Sequence, residues 1–330
     1  MDLPLLSAFF AAQALAFYVM LDGFDLGVGA LLLLQPDEIL RDRMVDSIMP
    51  TWDGNETWLI MAGVTLLAAF PIAYGILLPA FYLPLIAMLL SLGLRGVSFE
   101  FRYQTEGGRR IWDRAFGAGS IIAALMQGLI VGALIQGVNV QGERFNGSVL
   151  DAFRPFALLT AAAVLAGYCV LGSGWLRLKA TGALRSFAND VLRRVIWVFA
   201  ALATAVCVSA YFVQPGIALV WAAHLWLLAT ISVLFIAGVM ILARAVGSSA
   251  DSAPFLLGLV LFALAICGLG VAIFPDIVPF RLSLWAAASS TRSHVFLLVG
   301  VAIVTPVVLA YSAFAYRVFR GKTPDKGWEL

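Results

Sequence analysis

Apolar runs of about 20 residues recur from one end of the sequence to the other, and each is long enough to cross a bilayer as a helix. This recurrence strongly limits what the chain can fold into. The composition agrees, because 62% of the 330 residues are hydrophobic and only 12% are charged. Soluble globular proteins do not carry that balance. The sequence therefore predicts an all-α polytopic membrane protein, with residues 1–330 forming a single membrane domain.

Nine membrane spans are predicted, separated by short breaks that contain proline, glycine or charge. No connection is long enough to hold a soluble domain. The spans run roughly over residues 5–34, 53–72, 75–98, 115–137, 155–176, 193–213, 219–243, 254–274 and 293–318.

The distribution of lysine and arginine predicts the orientation of these spans. The connections after spans 1, 3, 5 and 7, together with the C-terminal tail, carry 16 of the 21 basic residues. The opposite side carries 4, and Arg95 lies inside span 3. Basic residues accumulate on the cytoplasmic side of membrane proteins. We therefore expect the N-terminus outside and the C-terminus in the cytoplasm of a multi-pass protein.

Several kinds of partner and cofactor are not expected from this sequence. A net charge of +2 without a basic run argues against nucleic acid. The three cysteines lie inside apolar runs and are expected to pack as small hydrophobic side chains. His224 and His294 fall near the outer ends of their spans, where interfacial histidines are the simpler interpretation than haem ligands. No metal or cofactor is thus expected on this chain.

Two carboxylates and an amide stand between two tryptophans at the start of the second predicted span. The stretch is Trp52-Asp53-Gly54-Asn55-Glu56-Thr57-Trp58, and an apolar run follows it directly. A charge at membrane depth is costly unless it is paired or hydrated, so such a cluster indicates a functional site. The flanking tryptophans are expected to keep water away from Asp53, which would favour proton exchange near neutral pH.

The same spacing fits a structural alternative. Asp53 and Glu56 match a capping box, with Asp53 as the N-cap and Glu56 three residues later. Trp58 would then be an interface anchor. Both interpretations remain open at this stage, and capping accounts for Glu56 better than for Asp53.

The predicted orientation gathers acidic residues of three consecutive helices at one depth. Asp25 lies about 30 Å along span 1, in its cytoplasmic half. Asp53 and Glu56 open span 2 from that side, and Arg95 and Glu100 close span 3 there. The proton-path candidates are therefore Asp25, Asp53, Glu56 and Glu100, with Asp22, Asn55, Trp58 and Arg95 as supporting residues.

Arg95 needs a counter-charge from another helix, because Glu100 lies about 140° away on its own helix. Asp25 or Asp53 is the expected partner, and snorkelling of Arg95 to the headgroups is the alternative.

Close helix packing is predicted at the end of span 1. The stretch Asp22-Gly23-Phe24-Asp25-Leu26-Gly27-Val28-Gly29 places Gly23 and Gly27 at the spacing that lets another helix approach. Asp22 and Asp25 are three residues apart and share a face. The alternative is that both carboxylates are solvated near the helix end.

This glycine-rich stretch and the tryptophan-flanked stretch together resemble subunit II of the cytochrome bd-type quinol oxidases. The similarity continues through most of the chain, at Arg95-Gly96-Val97-Ser98-Phe99-Glu100-Phe101-Arg102, Gln136-Gly137, Phe274-Pro275, Leu284-Trp285 and Ser289-Ser290.

The resemblance implies nine helices, arranged as two four-helix bundles plus one additional helix, in the bacterial cytoplasmic membrane. It implies an accessory, non-catalytic subunit of a terminal oxidase that oxidises quinol and reduces oxygen to water without pumping protons. The b- and d-type haems and the quinol site would belong to subunit I, in a pseudo-symmetric heterodimer. A small single-helix third subunit, and a structural quinone or lipid at the surface of this chain, are compatible with the resemblance.

The acidic residues and the family resemblance point to the same mechanism. In it, buried carboxylates conduct cytoplasmic protons towards the oxygen-reducing haem. An ion-coupled transporter would use similar acids. It is disfavoured, because repeated halves should each carry broken helices and acids, and only the first half carries acids here. A purely structural scaffold for subunit I remains the other alternative.

Overall fold

The computed structural model describes residues 2–105 and 108–324, which form twelve α-helices and two short β-hairpins. The helices are α1 (Leu3–Leu32), α2 (Glu38–Ile48), α3 (Trp52–Ala69), α4 (Pro71–Ala80), α5 (Tyr82–Gln104), α6 (Arg109–Gln136), α7 (Pro155–Lys179), α8 (Gly182–Val213), α9 (Pro215–Ala223), α10 (Leu225–Ala245), α11 (Ala253–Ile273) and α12 (Thr291–Val318). The hairpins pair β1 (Val140–Gln141) with β2 (Arg144–Phe145), and β3 (Asp276–Val278) with β4 (Leu282–Ser283). The all-helical membrane fold expected from the sequence is confirmed.

Eight of the described helices are long and apolar enough to cross a membrane. They are α1, α5, α6, α7, α8, α10, α11 and α12. The second predicted span corresponds to α3, which has 18 residues but is not one of the eight. Its first turns carry Asp53, Asn55 and Glu56, which lower its mean hydropathy. The count of nine spans therefore stays a prediction.

Three predicted spans are not continuous helices. The span predicted over 53–72 is interrupted at Phe70, between α3 and α4. The span predicted over 75–98 is interrupted at Phe81, between α4 and α5. Pro79 and Pro84 flank this break, and each lacks the backbone N–H that a continuous helix would use. The span predicted over 219–243 is interrupted at His224, between α9 and α10.

Helix α1 packs against α7 through glycines, as predicted from the spacing of Gly23 and Gly27. A Cβ atom added to Gly27 would lie 1.8 Å from the carbonyl oxygen of Tyr168, and one added to Gly23 would lie 2.5 Å from the Tyr168 ring. On the other side of the contact, a Cβ atom added to Gly172 would lie 2.5 Å from the carbonyl carbon of Gly27. Only glycine permits this separation of two helix backbones.

Aromatic side chains fill the largest buried cluster, on both sides of that contact. Phe24 stacks on Trp175 at a centroid distance of 4.3 Å, and Phe255 meets Phe24 edge-on at 5.4 Å. Tyr168 stacks on Phe262 at 5.5 Å. These rings join α1, α7 and α11 and fix the depth at which residues 22–25 lie.

The basic connections converge at one end of the bundle. Lys322 donates hydrogen bonds to the carbonyl oxygens of Arg177 and Leu178 and to Asp251, so the tail, the end of α7 and the α10–α11 connection meet. Arg102 contacts Asp42, which brings α2 to the end of α5. The opposite end holds both hairpins.

Candidate functional site

The carboxyl-terminal half of α1 lies inside the protein. Residues 22–32 are all buried, and the two aspartates among them, Asp22 and Asp25, are 0% exposed. The glycine contact with α7 and the packing of α3 and α6 surround this segment. The alternative that these carboxylates are solvated at a helix end is therefore wrong for this fold.

Arg95 of α5 is fully buried and binds two carboxylates. Its Nη2 atom donates to Oδ1 of Asp22 at 2.6 Å and to Oε1 of Glu56 at 2.5 Å. The guanidinium also lies 5.8 Å from the centre of the Trp52 ring. Arg95 therefore does not snorkel to the headgroups.

The partner expected for Arg95 was Asp25 or Asp53, and this expectation is wrong. The spacing of residues within a helix shows which side chains share a face of that helix. It does not show at what height along its axis each helix lies beside its neighbour. The approach of α5 to α1 places Arg95 level with Asp22, one turn away from Asp25.

Asp25 is held instead by an amide. The Nδ2 group of Asn55 donates to Oδ2 of Asp25 at 2.7 Å, and it also lies 3.4 Å from the carbonyl oxygen of Leu21. The hydroxyl of Tyr316, on α12, donates to Oδ1 of Asn55 at 3.0 Å. Asn55, on α3, thus links the Asp25 carboxylate of α1 to Tyr316 of α12.

Asp53 and Glu100 do not join this buried group. Both side chains are exposed on the described chain, and Glu100 lies 3.4 Å from Gln104 on its own helix. The expectation that tryptophans keep water away from Asp53 is wrong. Trp52 stacks on Phe99 and Trp58 packs edge-on against Phe17, and neither ring buries Asp53, which stays exposed.

The capping-box interpretation is also wrong. Helix α3 begins at Trp52 with Thr51 as its N-cap, and no side chain accepts a hydrogen bond at this end. Asp53 and Glu56 therefore lie within the helix, three residues apart and on one face. They are close enough to interact electrostatically.

A second set of buried polar residues lies beside the carboxylates, and no sequence motif indicated it. Gln127 of α6 donates from Nε2 to the Tyr18 hydroxyl at 2.7 Å and accepts at Oε1 from the Tyr168 hydroxyl at 2.5 Å. Tyr18 precedes Asp22 by four residues on α1, so the two side chains lie on the same face, one helical turn apart. Isolated tyrosines and a glutamine in apolar runs are common, so only the packing singles them out.

Several buried atoms of the site make no well-formed hydrogen bond with the residues in the described ranges. They are Oδ2 of Asp22, Oδ1 of Asp25, Nε and Nη1 of Arg95 and Nε1 of Trp58. Buried polar atoms in proteins are almost always bonded, and ordered water is the usual partner when no protein group is present. The site is therefore polar enough to be hydrated.

An ion-pair network lies between this site and the basic end of the bundle. Asp113 accepts hydrogen bonds from Arg41 at 2.7 Å and from Arg102 at 2.6 Å. Beside it, Asp46 of α2 accepts a hydrogen bond from the Tyr103 hydroxyl at 2.6 Å. Burial raises the pKa of Asp46. This network joins α2, α5 and α6 and fixes the end of α5 that carries Arg95.

The histidines have separate surroundings. His294 is buried, and its Nδ1 atom lies 2.8 Å from Oγ of Ser7. His224 is exposed, and its Nδ1 atom lies 3.2 Å from the carbonyl oxygen of Val220. Over residues 2–105 and 108–324, no three histidine, cysteine or acidic residues are grouped as metal ligands would be.

Fold and site together define a polytopic, all-helical membrane protein with a charge-paired carboxylate cluster between its first three long helical segments. Residues 3–319 match the model of the family described as cytochrome bd terminal oxidase subunit II, and the chain belongs to that family. The resemblance found in the sequence motifs is confirmed. The chain is thus a subunit of a bd-type oxidoreductase of the respiratory chain and a multi-pass protein of the bacterial cytoplasmic membrane.

Individual relatives agree with this assignment. The chain is 38% identical over 178 residues to the probable cytochrome oxidase subunit 2 of Haemophilus influenzae, covering 52% of this chain and 47% of the relative, about half its length. It is 29% identical to the cytochrome bd-I ubiquinol oxidase subunit 2 of Escherichia coli, covering 92% of this chain and 91% of that protein. The Bacillus subtilis cytochrome bd ubiquinol oxidase subunit 2 is 26% identical, with 94% and 93% covered.

The same fold occurs in a solved structure. The chain superimposes on a chain of the bd oxidase from Geobacillus thermodenitrificans with a TM-score of 0.79, covering 97% of this chain and 99% of that one. At 16% sequence identity, this match concerns the fold alone.

Proposed function

We propose that this chain is the accessory, non-catalytic subunit of a quinol oxidase and that it conducts cytoplasmic protons towards the site of oxygen reduction in subunit I. The observation that carries the proposal is the buried group of Asp22, Asp25 and Glu56 around Arg95. Three carboxylates at membrane depth are costly, and residues of this kind mark ion and proton pathways.

The geometry supports a route with an exposed beginning and a buried end. Asp53 is exposed, and Glu56 follows it on the same face of α3 with its side chain 24% exposed. Asp25 lies deeper and is 0% exposed. Protons would pass from Asp53 to Glu56 and, through intervening water, to Asp25. Glu100 is a second exposed candidate at the same end.

The side from which protons enter depends on the orientation of the chain in the membrane, which is also part of the proposal. The basic connections meet at one end of the bundle, which supports a cytoplasmic C-terminus, an outside N-terminus and nine spans in one membrane domain. Taking protons from the cytoplasm, while quinol oxidation releases protons outside, would generate a membrane potential without pumping.

Subunit I is the proposed partner and carrier of the b- and d-type haems and of the quinol site. Large apolar side chains such as Phe296, Val307 and Phe314 are exposed along α12. Such a surface suits an interface made within the membrane, or lipid. A small third subunit, and a quinone or lipid bound at this surface, would be compatible with the same arrangement.

The experiment is quinol-driven oxygen uptake, normalised to haem, by complexes that carry Asp53→Asn, Glu56→Gln, Asp25→Asn or Glu100→Gln. Each variant keeps the shape of the side chain and removes its ability to ionise. We expect Asp53→Asn to assemble with full haem content and lose most of its uptake, by at least about tenfold. Asp190→Asn, an exposed carboxylate on α8, is the matched control.

The alternative of a structural scaffold predicts a different result. In that case all four variants that assemble would consume oxygen at the wild-type rate across the pH range. That outcome would overturn the proton-conducting role and leave subunit I supported by packing alone.

A further inference from the structure

The C-terminal tail crosses the end of α7 as a strap, which comprises residues 319–323. The backbone N–H group of Thr323 donates to the carbonyl oxygen of Lys179 at 2.8 Å, and Nζ of Lys179 donates to the carbonyl oxygen of Phe319 at 2.6 Å. Nζ of Lys322 donates to the carbonyl oxygens of the two residues before Lys179. The last carbonyl groups of a helix have no partner within it, so they need donors from elsewhere. The strap therefore caps α7 and attaches the end of α12 to it.

The end of α12 needs such an attachment. Pro306 lies inside α12 and lacks the backbone N–H that would continue the helical hydrogen bonds. After Pro306, the side chains of Val307, Tyr311 and Phe314 are exposed. The half of α12 that follows the proline is therefore weakly fixed by its own helix and by that face. The strap supplies a fixed point at its end.

Tyr316 lies three residues before the strap and reaches into the site. Its hydroxyl donates to Oδ1 of Asn55 at 3.0 Å. Its ring meets Trp175 edge-on at a centroid distance of 6.1 Å, and Nζ of Lys179 lies 5.0 Å from the centre of the Trp175 ring. Lys179 thus contacts both the strap and the ring against which Tyr316 packs.

The bond from Tyr316 supports one orientation of the Asn55 amide. In that orientation Nδ2 of Asn55 donates to Oδ2 of Asp25 at 2.7 Å, and the carbonyl oxygen of Leu21 lies 3.4 Å from the same nitrogen. A reversed amide would place Oδ1 beside both of these oxygens and would give the carboxylate no donor from α3. A hydroxyl that donates to Oδ1 therefore favours the orientation in which Asp25 is bound.

We propose that the strap and Tyr316 are positioning residues for Asp25. The strap fixes the end of α12, the fixed helix end places the Tyr316 hydroxyl against Asn55, and Asn55 then presents its N–H group to the carboxylate. Asp25 is 0% exposed, so a protein donor matters more here than at a hydrated site. The consequence for turnover rests on the proposed proton path, but the coupling of the strap to Tyr316 and Asn55 can be tested without it.

The charges around Asp25 are not altered by a change at Tyr316. They belong to Asp22 of α1, Glu56 of α3 and Arg95 of α5, and Tyr316 is the titratable group that faces the site from α12. Tyr316→Phe removes a hydroxyl and leaves these three charges in place. Its effect on Asp25 therefore reports on the hydrogen bonds through Asn55.

The test is a set of thermal unfolding measurements on the complete oxidase. Tyr316→Phe should lower the unfolding temperature by about 1–3 °C in the wild-type background, because a buried amide oxygen loses its donor. The loss should be less than half as large in an Asn55→Ala background, which has no amide to orient. Tyr311→Phe, at an exposed tyrosine on the same helix, is the matched control and should have no effect. A Tyr316→Phe variant as stable as wild type would overturn the proposal.

The strap is tested in a third background, Lys179→Met with Lys322→Gln. These changes remove the two lysine donors and retain most of the side-chain length. Tyr316→Phe should then cost less than half of its wild-type effect, because the hydroxyl is no longer placed against Asn55. An equal cost in both backgrounds would show that Tyr316 is positioned without the strap and would overturn the proposal. Arg320→Gln, at an exposed tail residue, is the matched background control. Lys322→Gln alone should give a smaller reduction of the same kind and serves if the double variant does not assemble.

The pH profile of oxygen uptake gives a readout that a loss of folded complex would not move. The pH of half-maximal uptake should change by about half a unit in Tyr316→Phe, since a donor bound to a carboxylate alters the pH at which that carboxylate takes up a proton. Tyr311→Phe and Arg320→Gln should keep the wild-type profile.

The two readouts separate this inference from the proposed function. Coupled unfolding losses with a wild-type pH profile would retain the positioning of Asp25 and count against its place in the proton path. A changed profile together with the coupling would support both. Reduced uptake at an unchanged pH midpoint and without coupling would indicate loss of folded complex and overturn the proposal.

Discussion

Replacing Arg95 with methionine should strongly destabilise the protein. The side chain is 0% exposed and its Nη2 atom lies 2.6 Å from Asp22 and 2.5 Å from Glu56. Methionine fills most of the space and removes the charge. Removing one partner of a buried ion pair leaves an uncompensated charge and costs about 3–5 kcal/mol.

Protonation of Asp22 sets an independent upper limit on the loss of stability in Arg95→Met. Asp22 can avoid the penalty by taking up a proton, which for an ordinary aspartate costs about 4 kcal/mol at pH 7. That cost falls by about 1.4 kcal/mol for each unit of lower pH. We therefore expect the loss to be largest at neutral and alkaline pH and to shrink in acid. Glu56 contributes less, because its side chain is partly exposed and can be hydrated.

The assay is thermal unfolding and haem retention of the purified complex at several pH values. Arg95→Met with Asp22→Asn should recover at least half of the loss, because the stranded charge is gone. Arg110→Met is the control, since Arg110 is an exposed arginine close to the same end of the bundle. A variant Arg95→Met that is as stable as wild type at pH 7, or a loss that does not depend on pH, would refute the reasoning.

Three further predictions concern packing, the tail and the orientation. Gly27→Val should prevent stable folding, because its Cβ would overlap the Tyr168 carbonyl, whereas Gly93→Ala, with open space around it, should be neutral in the same unfolding assay. The hydrogen bond from Lys322 lowers the pKa of Asp251, so its stabilisation of about 0.2–1 kcal/mol is present at neutral pH and lost only as the pH falls below about 4. Lys322→Gln should therefore speed amide exchange in segment 321–324 at neutral pH, and an unchanged rate would contradict the pairing. A C-terminal reporter that is active only in the cytoplasm should be active, and an inactive one would reverse the orientation and the proposed side of proton uptake.

The helical membrane character of the chain follows from its sequence. Apolar runs specify helices in a bilayer, because a helix satisfies its own backbone hydrogen bonds wherever it lies. The same local logic identified Gly23 and Gly27 as a packing surface, and the family could be recognised from two short motifs. Pro79 and Pro84 indicate the break at Phe81 between α4 and α5. Hydropathy alone does not indicate it, because the residues around Phe81 are continuously apolar.

The pairing of charges was decided by the tertiary structure. All four buried or partly buried charged residues were recognised as candidates in the sequence: Asp22, Asp25, Glu56 and Arg95. Arg95 nevertheless binds Asp22 and Glu56 rather than Asp25 or Asp53. Asp53 was expected to be shielded and is exposed. The residue spacing within a helix fixes only which side chains share a face.

The remaining site residues were found only through packing. Tyr316 lies 261 residues from Asn55, and Gln127 lies 109 residues from Tyr18, so no local pattern connects them. They meet because glycine contacts draw α1 against α7 and set the rotation and depth of each helix relative to its neighbours. Those two quantities depend on side chains of both helices at once. The sequence therefore determined which residues carry charge at membrane depth, and the helix contacts decided which of them form ion pairs or hydrogen bonds with one another.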